Sequence, residues 1–205
     1  MQINKVADTK EALEVALLEL ISSLNDKKLI NIAFTGGRFG KTFLMHLNKM
    51  ALDLKNASIY LTDERITNQE NEKNSTILLP ILRRLENFNH NTFFDFSEPN
   101  LNTFNFPKNL DLCFLSLGED GHLAGDFFKS KNLNNFICHT DQAPKPPRKR
   151  ISFRADWLFK SKKIILIVLG KSKKNAFKKL ICGNGYHSKS FLKCSNEIII
   201  ITDII

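Results

Sequence analysis

Asp120-Gly121-His122 is the group in this chain whose residue types and spacing most readily do chemistry. Imidazole is the side chain whose ordinary pKa suits proton transfer near neutral pH. The group follows Leu112-Cys113-Phe114-Leu115-Ser116-Leu117, an apolar run that ends at Gly118. Such a run, bounded by glycine, reads as a buried strand. The strand therefore delivers a carboxylate and an imidazole to its carboxyl end, the edge where open α/β sheets bind ligands. A lone histidine after a tight turn is more often a satisfied structural residue. The other strand ends shift the balance.

Gly36-Gly37-Arg38 lies between a short strand and a helix. Glycines let the backbone approach a ligand, and a helix N-terminus favours an anion. The spacing is neither a Walker loop nor G-x-G-x-x-G. Asp63-Glu64-Arg65 follows the buried-looking Ile59-Tyr60-Leu61, so part of this charge triplet is expected to face inward. Gly170-Lys171-Ser172-Lys173 occupies another strand-to-helix turn, where Lys173 offers a point charge to a phosphate. Arg38, Arg65, Arg150 and Lys173 around one base suit a small phosphorylated substrate, provided the fold makes them converge.

The elements that must position these groups follow from hydrophobic period. An amphipathic helix is expected over 8–24, with Asp8 and Glu11 forming a capping box. Strands are expected at 29–34, 58–61, 110–117, 164–169 and 197–201. Helices are expected at 41–52, at 77–85 with Pro80 in the first turn, and at 172–181. Residues 66–76 read as loop. Residues 87–109 read as irregular, with one short strand at 92–96. Ala143-Pro144-Lys145-Pro146-Pro147 reads as a stiff extended segment feeding Arg150. Strands alternate with helices, without internal repeats or a long linker. The expected architecture is a single-domain α/β protein over 1–205, a three-layer α/β/α sandwich with a mostly parallel sheet.

With 205 residues, 42% of them hydrophobic, the chain is long enough for one sizeable core. No apolar run approaches a membrane span, and the N-terminus lacks a signal-peptide core, so a cytoplasmic location is expected. The four cysteines are scattered without C-x-x-C spacing and read as structural thiols, with no zinc site or disulfide framework. A net charge of +9 suits an anionic partner, either a nucleic acid or a phosphorylated small molecule. The basic residues are dispersed and carry no nucleic-acid motif, which favours the small molecule.

Taken in order, these blocks resemble the 6-phosphogluconolactonase family. Thr35-Gly36-Gly37 is similar to its Ser-Gly-Gly turn, and Asp63-Glu64-Arg65 to its Asp-Glu-Arg block, with Ser75 a short loop later. The strand and Gly-x-Asp-Gly-His turn follow, then Pro146-Pro147-Arg148-Lys149-Arg150-Ile151-Ser152 and Gly170-Lys171-Ser172-Lys173. The resemblance implies a fold shared with sugar-phosphate isomerases and CoA-transferase-like domains. It implies hydrolysis of 6-phospho-D-glucono-1,5-lactone in the oxidative pentose phosphate pathway, with no metal or cofactor, in a monomer or homodimer. It makes His122 the general base, with Asp120 orienting or tuning it. Arg65, Arg150 and Lys173 would hold phosphate or oxyanion, with Gly36, Gly37 and Asp63 completing the substrate site; Arg38, which the family pattern lacks, is expected as an extra phosphate ligand.

The chain departs from the family pattern at Arg38-Phe39-Gly40, at Leu123-Ala124-Gly125-Asp126-Phe127-Phe128 after the histidine, and at Thr76 where an Asn usually follows the Ser. The span from Ser75 to Asp111 is also shorter than usual. Two relatives in chemistry compete: a glucosamine-6-phosphate deaminase-type isomerase and a non-catalytic sugar-phosphate-binding homologue. The first shares the Gly-x-Asp-Gly-His turn, but usually follows it with Phe-Asn-Glu-Pro, which this chain lacks.

Overall fold

A computed structural model of the chain describes residues 1–25, 29–50, 52–85, 87–89, 92–97, 101 and 106–204. A seven-stranded sheet forms its centre. Its strands run in the order β1 (Gln2–Lys5), β11 (Glu197–Thr202), β10 (Lys163–Val168), β6 (Leu112–Ser116), β2 (Ile30–Phe34), β3 (Ala57–Leu61) and β5 (Phe93–Phe94). Every neighbouring pair is parallel. The composition explains this. Strands β10, Lys-Ile-Ile-Leu-Ile-Val, and β11, Glu-Ile-Ile-Ile-Ile-Thr, are β-branched and buried on both faces, as the inner strands of a parallel sheet must be.

The helices are α1 (Thr9–Asn25), α2 (Gly37–Leu47), α3 (Asn74–Leu82), α4 (Ala155–Leu158), α5 (Lys174–Ile181) and α6 (Ser188–Leu192). Right-handed crossovers place α1–α3 on one face of the sheet and α4–α6 on the other. The packing agrees: α2 meets both α1 and α3, while α6 meets both α4 and α5. This is the three-layer architecture expected from the sequence. The chain moves one way across the sheet from β1 to β5 and returns from β6 to β11. The reversal leaves a crevice between the carboxyl ends of β2 and β6, where ligands bind in folds of this kind.

A second, antiparallel sheet sits beside that edge, in the order β4 (Asp63–Arg65), β9 (Arg150–Phe153), β8 (Ile137–Thr140), β7 (Lys131–Asn132). An aromatic cluster joins it to the central sheet. The Phe153 ring on β9 lies 5.6 Å from Phe94 on β5 and 4.6 Å from Trp157 on α4. Aromatic pairs at such spacings contribute beyond their buried area.

The elements agree with the sequence reading in part. The capping box at α1 forms: Asp8 Oδ1 accepts the Glu11 N–H at 2.9 Å, and Glu11 Oε2 accepts the Ala7 N–H at 2.6 Å. Helix α2 begins at Gly37 and ends at Leu47, earlier at both ends than expected; residue 51 of the expected 41–52 helix lies outside the described residues. Helix α3 begins at Asn74, inside the expected loop, so Pro80 lies in the helix interior. The reason is long-range. The buried Glu64 carboxylate accepts the N–H groups of Asn74 at 2.6 Å and Ser75 at 2.8 Å, starting the helix from outside its own sequence. Much of the expected irregular stretch 87–109 falls outside the described residues.

Candidate active site

His122 and Asp120 stand in the turn that follows β6. Gly118 N–H donates to the His122 carbonyl at 2.9 Å, and Leu117 pairs with Leu123 across the turn. This folds the imidazole back over Gly118, where an added Cβ would lie 2.1 Å from Nδ1. His122 Nδ1 lies 2.5 Å from Asp120 Oδ1, and the His122 main-chain N–H reaches the same oxygen at 3.3 Å. Partial burial works against ionisation of Asp120. The hydrogen bond and charge of His122 outweigh it and hold the carboxyl below its ordinary value. An ionised carboxylate only accepts hydrogen bonds, so Nδ1 carries the proton. The neutral ring then has its lone pair on Nε2, which bonds to no described residue. The His122 side chain is 27% exposed, enough for a substrate to reach it.

Basic flanks stand on two other parts of this edge. On the first, Lys173 Nζ donates to Ser116 Oγ at 3.1 Å, at the carboxyl end of β6. Burial lowers the Lys173 ammonium below its usual range, and the charge of Arg38 lowers it further. The two cations thus share one region. Arg38 is exposed in the first turn of α2 and has no ion pair among the described residues. Gly37 opens that helix at φ +70, a backbone value that favours glycine.

The second flank is built by β4 and β9. Their register sets Arg65 opposite Arg150 and Asp63 opposite Ser152. Like charges directly opposite are unfavourable in a sheet. The structure offsets this with carbonyls: Arg65 Nη1 donates to Glu72 O at 2.7 Å, and Arg150 donates to the carbonyls of Pro147, Lys149 and Lys145. Burial raises the Asp63 carboxyl above its ordinary value, against the pull of Arg150 and, more weakly, of His122. Arg150, Asp63 and His122 therefore share one electrostatic neighbourhood.

Every site residue expected from the sequence falls at this edge: His122, Asp120, Gly36, Gly37, Arg38, Asp63, Arg65, Arg150 and Lys173. Asn74 was missed. It is 3% exposed, and its Nδ2 donates to the Asp63 carbonyl at 3.0 Å and carboxylate at 3.4 Å. An added Cβ at Gly36 would strike the same amide at 2.4 Å. The sequence reading sought an Asn after Ser75, where Thr76 stands; the amide comes from the residue before Ser75 instead. Its signal, a polar residue where a helix begins, is hidden because that start depends on Glu64.

A profile described as "Glucosamine-6-phosphate isomerases/6-phosphogluconolactonase" matches residues 5–191. A 6-phosphogluconolactonase of Borreliella burgdorferi is 27% identical over 204 residues, covering 89% of this chain and 87% of its own length. A crystal structure of a 6-phosphogluconolactonase from Thermotoga maritima shares the fold with a TM-score of 0.80 and 19% identity over 98% of both chains. A monomeric glucosamine-6-phosphate deaminase shares it with a TM-score of 0.78 and 16% identity, over 98% of this chain and 97% of its own.

Proposed function

From the membership of this chain in the glucosamine-6-phosphate isomerase/6-phosphogluconolactonase family, we propose that it hydrolyses 6-phospho-D-glucono-1,5-lactone to 6-phospho-D-gluconate, with His122 as general base. The observation that carries the reading is the 2.5 Å contact between His122 Nδ1 and Asp120 Oδ1, which leaves Nε2 free to take a proton beside two cationic flanks. Relatives named 6-phosphogluconolactonase support the substrate.

Nε2 removes a proton from water as its oxygen attacks the lactone carbonyl. Charge develops on the carbonyl oxygen. The imidazolium, steadied by Asp120, then returns the proton to the ring oxygen as its bond to the carbonyl carbon breaks. Lys173, Arg38 and the free N–H groups of the first turn of α2 hold the phosphoryl group. Arg65 and Arg150 keep N–H donors beyond those bound to loop carbonyls, and these take the lactone end with Asp63. A base of this kind contributes on the order of 10²–10⁴ in rate. That help suffices for an ester which already opens in water.

The test is hydrolysis of freshly prepared 6-phosphogluconolactone, followed by acid release with spontaneous opening subtracted. Glucosamine 6-phosphate is assayed in parallel for ammonia release. Catalysed lactone opening without deamination is expected. Deamination with no lactone opening overturns the reading in favour of the isomerase, and binding of 6-phosphogluconate with neither reaction overturns it in favour of a non-catalytic homologue.

A further inference from the structure

We propose that Phe127 is a positioning residue for the His122 imidazole, and that Asp126 fixes Phe127 in place. The inference rests on His122 serving as the base. The Phe127 ring stacks on the imidazole with centroids 4.3 Å apart and planes 28° from parallel. Asp120 holds the ring by one edge nitrogen only. A hydrogen bond to an edge fixes where that nitrogen lies, and a stacked face fixes the plane of the ring. Both are needed to aim Nε2.

Phe127 is well anchored for such a task. It is 9% exposed. Its N–H donates to Ser130 Oγ at 2.9 Å, and its carbonyl accepts the Ser130 N–H at 2.9 Å. Asp126 ties the segment to three places. Its Oδ2 accepts the Ala155 N–H of α4 at 3.0 Å, and its carbonyl accepts from His187 Nε2 at 2.9 Å. Its own N–H donates to Leu123 O at 3.0 Å, and Leu123 is paired to the end of β6. Asp126, a departure from the family pattern, is 8% exposed and has a structural use in every polar group. The hold on the imidazole thus runs from α4 and His187 through Asp126 to Phe127.

The test compares wild type with Phe127→Leu, Phe127→Tyr and Asp126→Ala. It measures kcat, KM and the ¹⁵N spectrum of the His122 ring. Misplacing a reacting group by an ångström costs up to ~10²-fold, so Phe127→Leu should lower kcat about 10- to 100-fold with KM little changed. The ¹⁵N signals should pass from a single Nδ1–H tautomer to an averaged mixture. Phe127→Tyr, which keeps the stacking face, should restore both readouts. Asp126→Ala should move both in the direction of Phe127→Leu. A folded Phe127→Leu with wild-type kcat and an unchanged tautomer overturns the proposal. If that variant does not fold, Asp126→Ala with an unchanged spectrum overturns it as well. Retention of turnover by His122→Ala removes the base assignment alone, and the ¹⁵N spectrum then still decides whether Phe127 fixes the ring.

Discussion

Asp120→Asn isolates the charge of the dyad from its geometry. The amide keeps an oxygen where Oδ1 now accepts from Nδ1 at 2.5 Å and from the main-chain N–H at 3.3 Å, so the ring should stay in place. What is lost is the charge that steadies the imidazolium. Hydrogen bonds to charged groups are worth about 1.5–3 kcal/mol against about 0.5–1.5 kcal/mol for neutral ones, a difference near 1 kcal/mol. The Asp120 side chain is 45% exposed, so solvent screening keeps the effect at the lower end. The expected loss in kcat is about 5- to 10-fold, with KM changed less than about twofold, since the proposed reaction assigns the phosphate to Lys173 and Arg38. Initial rates of acid release at several substrate concentrations measure both. An unchanged kcat would show that the charge is idle. A loss as large as that of His122→Ala would make Asp120 itself the indispensable group. Either result refutes the division of labour drawn here.

Other outcomes follow from the same geometry. Lys173→Ala should lower kcat/KM for the phosphorylated lactone about 10- to 150-fold, the worth of one charged hydrogen bond, while hydrolysis of glucono-1,5-lactone changes little; equal losses on both would place Lys173 away from the phosphate. Glu64→Ala removes the acceptor for the N–H groups of Arg65, Asn74 and Ser75, so it should destabilise the fold by about 1–3 kcal/mol in urea titration, and an unchanged midpoint would contradict the account of how α3 begins. Burial lowers the His187 imidazole below its ordinary value, against the pull of Asp126. The unfolded chain therefore takes up this proton first as pH falls below about 6.5, and stability should decline from there down to the lower native value. His187→Gln should flatten that part of the stability profile, and an unaltered slope would show that His187 is not responsible for it.

Much of this fold is legible along the chain because its signals are local. The Ile-rich runs at β10 and β11 announce a parallel interior, and Asp8 with Glu11 announces the start of α1. The second sheet is not legible in this way. Strand β4 is three residues long, carries only charged side chains and exists because β9 pairs with it from far along the sequence. Strand β1, with its exposed pattern, is defined by pairing to β11 at the opposite end of the chain. The same division holds at the site. His122, Asp120 and Lys173 sit in turns that local glycines mark. Asn74 reaches the site only because the Glu64 carboxylate starts a helix there. Asp126 reads from sequence as a stray acid, and its partners Ala155 and His187 come together only in the folded chain.

The proposed reaction depends on one proton acceptor, and removing it is the plainest trial. His122→Ala and wild type should be compared at equal concentrations of folded protein for opening of fresh 6-phosphogluconolactone, with the uncatalysed rate subtracted. The expected result is a fall in kcat of about 10²- to 10⁴-fold, with 6-phosphogluconate binding nearly intact. Turnover within about threefold of wild type would contradict it, because the proton would then be taken by a group other than the imidazole.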